Sequence, residues 1–305
     1  MTAFGIEKNH PLPAPPDSSE HLLGMATLEY HNGYLFTIGR TAGSRTGSFI
    51  VDFGAGSTLI DATMLSDSIM LSTVPPSHIK NTSGNVIDGF GGAISEFAGY
   101  TDLSWVRIGS RRWENAIVRV IDSLPRIGGR RIIGILGMDL LMRTPVVSYS
   151  YGEDTENTTM YFLAEDAGDE AKPTISIPFT IIGNHIFIMG QVNGTPVRFI
   201  LDTGSAENIL MTTAAKEANI GIDTTVIAEF SGLDGMTISA QIGLADSIAL
   251  ESFKIAQVRF HVADLPSLSP PNTKQNIGVL GNSLLRQYDR ITIDFKRQVI
   301  NLTQR

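Results

Sequence analysis

Two short stretches of this 305-residue chain carry residue types and a spacing that could do acid–base chemistry. Ser48-Phe49-Ile50-Val51-Asp52-Phe53-Gly54-Ala55 and Arg198-Phe199-Ile200-Leu201-Asp202-Thr203-Gly204-Ser205 are each an apolar run ending in Asp-x-Gly. An apolar strand buries its side chains and so anchors the aspartate that follows. The glycine two residues on, Gly54 or Gly204, allows a tight turn and close approach of another backbone. If two such loops met at a pseudo-twofold axis, they would bring two carboxylates together. Like charges about 3 Å apart do not both ionise, so the pair would hold one proton. The ionised member could take a proton from water while the protonated one polarises a carbonyl.

The elements that must position these aspartates are themselves repeated. Ile133-Gly134-Ile135-Leu136-Gly137-Met138-Asp139-Leu140-Leu141 matches Ile277-Gly278-Val279-Leu280-Gly281-Asn282-Ser283-Leu284-Leu285 at six positions. Val147–Tyr151 then aligns with Ile291–Phe295. Both blocks recur in the same order, and their offsets differ by only six residues, a change of loop length. Between the blocks lie glycine-rich hairpin signals, Val86–Ile94 in the first half and Phe230–Met236 in the second. Short runs of branched and aromatic residues separated by Gly, Asn, Ser and Asp predict a mainly β chain. Brief helices are expected only near Met138–Arg143, Thr212–Ala218 and Asn282–Gln287. The expected organisation is a proline-rich tail over 1–22, a first lobe over 23–163, an acidic linker over 164–172 and a second lobe over 173–305.

Asp202-Thr203-Gly204-Ser205, with Val279-Leu280-Gly281 or Asn276-Ile277-Gly278 downstream and the internal repeat around both, resembles an aspartic peptidase of retropepsin type. The resemblance covers about residues 30 to 305, as two tandem lobes in one chain. It implies an all-β, bilobal acid-protease fold whose two retropepsin-like barrels are related by pseudo-twofold symmetry. It implies Asp52 and Asp202 as a catalytic pair acting on one bound water, in an endopeptidase whose partner is a peptide or protein substrate. Gly54, Thr203, Gly204 and Ser205 would support the pair, with Ser205 at the outer oxygen of Asp202. Gly89, Phe90, Gly91 and Gly92 in one lobe, and Gly232, Leu233 and Asp234 in the other, would form flaps over the substrate. No metal or organic cofactor is implied. The sequence departs from the family pattern at Phe53, where a Thr or Ser hydroxyl normally locks the two loops together. An altered but working pair is one reading. A peptide-binding protein with a degenerate first lobe, or one that acts only after dimerising through its second lobe, is the other.

Composition narrows the remaining classes. The chain has no cysteine, which excludes a thiolate nucleophile, thiolate metal sites and disulfides. Its net charge of −8 lacks the basic patch that nucleic acid or an anionic membrane surface requires. No apolar run approaches the roughly 20 residues of a membrane span. The histidines show no His-Glu-x-x-His spacing, and Asp52-Phe53-Gly54 lacks the other signatures of a kinase. The N-terminus lacks the charged start and apolar run of a signal peptide, so a cytoplasmic protein is expected; a monomer is expected as well, with a dimer through the second lobe as the alternative.

Overall fold

A computed structural model describes residues 21–66, 69–72, 88–89, 92–93, 97–152, 157–165, 174–231, 237–265 and 276–305. Within them the chain is mostly β, and the three α-helices are single turns or little more: Met138–Leu141, Thr212–Glu217 and Asn282–Leu285.

The strands close into two matching rings. In the first lobe the order is Tyr34–Thr41, Gly47–Val51, Arg130–Leu136, Leu59–Asp61, Arg111–Ile121 and Phe97–Ile108, and the last pairs back onto the first. In the second it is His185–Val192, Thr195–Leu201, Ile277–Leu280, Ile209–Leu210, Phe253–Val262 and Thr237–Leu250, closed in the same way. Ring closure removes the free strand edges that would otherwise invite aggregation. The inward residues are large and apolar, among them Phe49, Val106, Trp113 and Val118 in one ring and Val197, Phe199, Ile248 and Phe260 in the other.

Beneath the rings runs a sheet to which each half of the chain contributes three strands. Leu22–His31, Asn157–Leu163 and Val146–Tyr149 come from the first half, and Arg290–Asp294, Val299–Thr303 and Thr174–Pro178 from the second. Val146–Tyr149 and Arg290–Asp294 pair antiparallel at its centre, with Ser148 opposite Thr292 and their hydroxyls 2.8 Å apart. The segments that align in the internal repeat therefore meet at the pseudo-twofold axis.

The repeated sequence blocks position the two aspartates. Gly47–Val51 runs parallel to one side of Arg130–Leu136, and Leu59–Asp61 pairs antiparallel to its other side. The chain from 47 to 61 thus straddles the central strand, and its bend carries Asp52. Thr195–Leu201 and Ile209–Leu210 straddle Ile277–Leu280 in the same way, with Asp202 in the bend. The glycine ending each central strand passes between the two limbs. A Cβ on Gly137 would collide with the Ser57 carbonyl, and one on Gly281 with the Glu207 carbonyl. This close approach accounts for the second glycine of each Ile-Gly-x-Leu-Gly block.

Candidate active site

Each bend is tied down by backbone and polar side chains. Asp52 N–H donates to the Leu136 carbonyl (3.0 Å) and Asp202 N–H to the Leu280 carbonyl (3.1 Å). In the first lobe the Gly137 N–H donates to Thr58 Oγ1 (3.1 Å), whose own proton goes to Asp139 Oδ1 (2.6 Å). In the second, Gly281 N–H donates to Asn208 Oδ1 (3.0 Å) and Asn208 N–H to Ser283 Oγ (3.1 Å). Different side chains thus make the same tie, because the orphan groups lie on the backbone and any suitably placed polar atom can serve them.

The structure brings Asp52 and Asp202 together, both buried. The Gly204 N–H donates to Asp202 Oδ1 at 2.7 Å and reaches Asp52 Oδ1 at 3.2 Å, so one peptide group serves both carboxylates. Asp52 Oδ1 also accepts from the N–H groups of Gly54 (2.7 Å) and Ala55 (3.0 Å). The two side chains lie within hydrogen-bonding range of one another, an arrangement that requires a proton between them. Gly54 and Gly204 leave the space for this meeting. A Cβ on Gly54 would land on the Asp202 carboxylate, and one on Gly204 on the Asp52 carboxylate.

The two carboxyls are not equivalent. Burial pushes Asp52 above the usual carboxylate range, but its bonds to Asp202 and to the N–H groups of Gly54, Ala55 and Gly204 oppose the shift. Asp202 is pushed well above that range by burial, then by the charge of Asp52 and the bond with it. Only the N–H groups of Gly204 and Ser205 oppose this. No donor among the described residues reaches the buried Asp202 Oδ2. The pair therefore holds one proton, and the three N–H groups on Asp52 Oδ1 favour the charge on that side.

Thr203 makes a one-sided lock. Its hydroxyl donates to the Val51 carbonyl (2.8 Å) and accepts from Phe53 N–H (3.1 Å), across the lobe boundary. Phe53 has no hydroxyl to return. Its ring is fully buried and stacks on Tyr149, with centroids 5.8 Å apart and planes at 16°. Ser205 Oγ donates to the Glu207 carbonyl (2.8 Å), while its backbone N–H acts on Asp202.

Two residues outside the sequence-predicted set also face the pair. Tyr34 and His185 each begin the second strand of a hairpin, after Asn32-Gly33 and Gly183-Asn184, and strand register makes them twofold counterparts. Tyr34 is pushed up to about 12 by burial and by the charges of Asp202 and Asp52. His185 is held below its ordinary value by burial, against the pull of Asp52 and a bond to the Gly54 backbone. Extending the internal repeat upstream through Gly33-Tyr34 and Asn184-His185 would have found both.

Gly89 pairs with Gly92 at the neck of a two-residue hairpin formed by Asp88–Gly89 and Gly92–Ala93. Phe90 and Gly91 lie outside the described residues. So do Gly232, Leu233 and Asp234, beyond the Ser231–Thr237 pair that ends the corresponding hairpin of the second lobe. Among the described residues no group of three or more His, Asp or Glu could hold a metal ion, and no helix is long and apolar enough to cross a membrane.

A family model described as aspartyl protease matches residues 38–140 and 188–284, which hold most of each ring. The solved structures similar to this chain include an aspartic proteinase from Irpex lacteus. It has 14% sequence identity and a TM-score of 0.57, over 92% of this chain and 97% of that one. No curated protein sequence matches.

Proposed function

The chain belongs to the aspartyl protease family, and from that premise we propose that it is an endopeptidase in which Asp52 and Asp202 jointly activate a water molecule. The observation that carries this reading is the shared Gly204 N–H, which holds two buried carboxylates in mutual hydrogen-bonding range. Asp52, stabilised as the anion by three N–H groups, takes a proton from the water. Asp202, kept protonated by burial and by its charged neighbour, donates to the carbonyl oxygen of the scissile peptide. The water oxygen bonds to the carbonyl carbon, giving a tetrahedral diol. Its collapse, with proton transfer to the departing nitrogen, breaks the C–N bond without any covalent link to the protein. The substrate is an extended peptide lying between the lobes. Because both carboxylates come from one chain, a monomer suffices.

Phe53 does not count against this reading, since Thr203 alone spans the two loops and reaches both Val51 and Phe53. The test is hydrolysis of an unfolded protein substrate between pH 3 and pH 8. The expected profile is a bell. Its low-pH limb marks uptake of a second proton by the pair, and its high-pH limb marks loss of the one proton the pair holds. No cleavage at any pH in that range overturns the proposal.

A further inference from the structure

The one-sided lock leaves a gap. In the first lobe, the Thr203 hydroxyl holds both ends of the Asp52 turn. Phe53 cannot hold the Asp202 turn in return. We infer that Asn282 is the positioning residue that takes over this duty, by fixing the peptide group between Thr203 and Gly204. The inference rests on the peptidase reading for its catalytic consequence but not for its geometry.

The twofold counterpart of Asn282 is Met138. Both follow the second glycine of their block, and both use their backbone N–H on the loop, to the Ser205 carbonyl (2.9 Å) and the Ala55 carbonyl (2.8 Å) respectively. There the likeness ends. Met138 is apolar and buried, whereas the fully buried Asn282 donates from Nδ2 to the Thr203 carbonyl (2.8 Å) and to the Gly33 carbonyl (2.7 Å). Its Oδ1 accepts from the Tyr151 hydroxyl. Both amide protons and the carbonyl are used, so the orientation of the side chain is fixed.

The Thr203 carbonyl and the Gly204 N–H belong to one planar peptide unit. Asn282 holds one end of that plane. The other end is the N–H that serves both carboxylates. Asn282 therefore aims the donor on which the pairing of Asp52 and Asp202 depends, without touching either aspartate. The support for Asn282 leads back to the residue that created the gap. Tyr151 packs edge-on against Tyr149 (5.7 Å, 68°), and Tyr149 is stacked on Phe53 (5.8 Å, 16°). The ring that displaces a hydroxyl at position 53 thus buttresses the tyrosine that orients the amide at position 282.

The test uses the full chain with carbonyl-labelled aspartate, following the carboxyl titrations of Asp52 and Asp202 by carbon NMR alongside the pH–rate profile and the melting temperature. Asn282→Leu keeps the side-chain volume and removes both donors. Tyr151→Phe removes only the hydroxyl that orients the amide. The Gly204 N–H lowers the proton affinity of both carboxyls. Loosening its peptide should therefore move both titrations to higher pH, more in Asn282→Leu than in Tyr151→Phe. In Asn282→Leu, kcat should fall on the order of 10- to 100-fold while KM stays within about threefold, because the residue acts through Asp202 and not on the substrate. A folded Asn282→Leu protein with unmoved titrations overturns the inference, as does a loss confined to KM. If Asn282→Leu does not fold, unmoved titrations in Tyr151→Phe overturn it equally. If the wild-type chain cleaves nothing, the peptidase reading fails, and the titrations alone still decide the role of Asn282.

Discussion

The loops carrying Asp52 and Asp202 share one frame, yet each supplies what the other lacks. Both hang from a central strand through the same backbone bond, and both have their glycine against the opposite carboxylate. The Asp202 loop, with the family's Asp-Thr-Gly, supplies the hydroxyl that locks the first lobe and the Gly204 N–H that serves both carboxyls. The Asp52 loop, with Phe53, supplies no lock, but its Gly54 and Ala55 N–H groups converge on its own carboxylate. Two acids of the same type are thereby driven toward different protonation states by local hydrogen bonding. In the proposed mechanism the deviant loop holds the base, and the standard loop holds the acid and the clamp.

The largest effect should come from breaking the pair. Asp52→Asn and Asp202→Asn should each lower kcat by roughly 10³-fold or more, measured on the same unfolded substrate. A variant that keeps full activity would remove its residue from the mechanism. Next are the two glycines. Gly54→Ala and Gly204→Ala each push a methyl group onto the opposite carboxylate. Misplacement on the ångström scale should cost about 10²-fold in kcat/KM. If only one alanine variant is impaired, the twofold equivalence of the loops fails.

Replacing Thr203 by valine removes one bond across the lobes and leaves the buried Phe53 N–H without its acceptor. We expect a loss of about 1–3 kcal/mol in stability and a fall in kcat, both seen by comparing denaturant unfolding with turnover. Phe53→Thr should separate the two effects, lowering stability with little change in turnover. Losing a fully buried, stacked ring costs about 3 kcal/mol or more, only partly offset by a restored hydroxyl. Melting temperature should therefore drop while kcat changes by no more than a few-fold. A collapse of kcat in a folded Phe53→Thr protein would show that the ring, not the missing hydroxyl, sets the loop geometry.

How much of this was legible in the sequence depends on whether a residue's role is local. The Asp-x-Gly bends and the Ile-Gly-x-Leu-Gly blocks could be read directly, because each follows from chain direction and close backbone approach. The three short helices fall where the residue pattern placed them, each one or two residues shorter at its end. The acid-protease fold was legible through the repeat, since two copies in one order imply two like lobes. The shared sheet was not. Strands such as Leu22–His31 and Val299–Thr303 are ordinary in composition, and nothing local tells them to join a third layer. The division of labour at the site was also hidden. Asp202 alone carries the family's Asp-Thr-Gly, yet the better-stabilised anion belongs to Asp52, whose donors include one from the opposite loop. Asn282 was visible only as a mismatch within a repeated block, opposite Met138, because its partners Gly33, Tyr151 and Thr203 are remote in sequence.

The smallest expected effect concerns stability, and it separates the two aspartates by sign and degree. A carboxyl raised above its ordinary value in the folded state binds its proton more tightly there than in the unfolded chain. Its contribution is complete below the ordinary carboxylate range and is lost as pH rises through the raised value. Both members of the pair are raised, and Asp202 the more. The wild-type protein should thus lose stability between pH 4 and neutrality by an amount that Asp202→Asn largely removes. The melting temperature of the variant should exceed that of the wild type near pH 7 and converge with it, or fall below it, near pH 4. Asp52→Asn should show a weaker gain, because its three N–H donors already stabilise the charge that the substitution deletes. Other titrating groups are common to all three proteins and cancel in the differences. Equal gains from the two substitutions would mean that the proton is shared evenly between Asp52 and Asp202, and that the asymmetry of their hydrogen bonds does not decide which of them holds it.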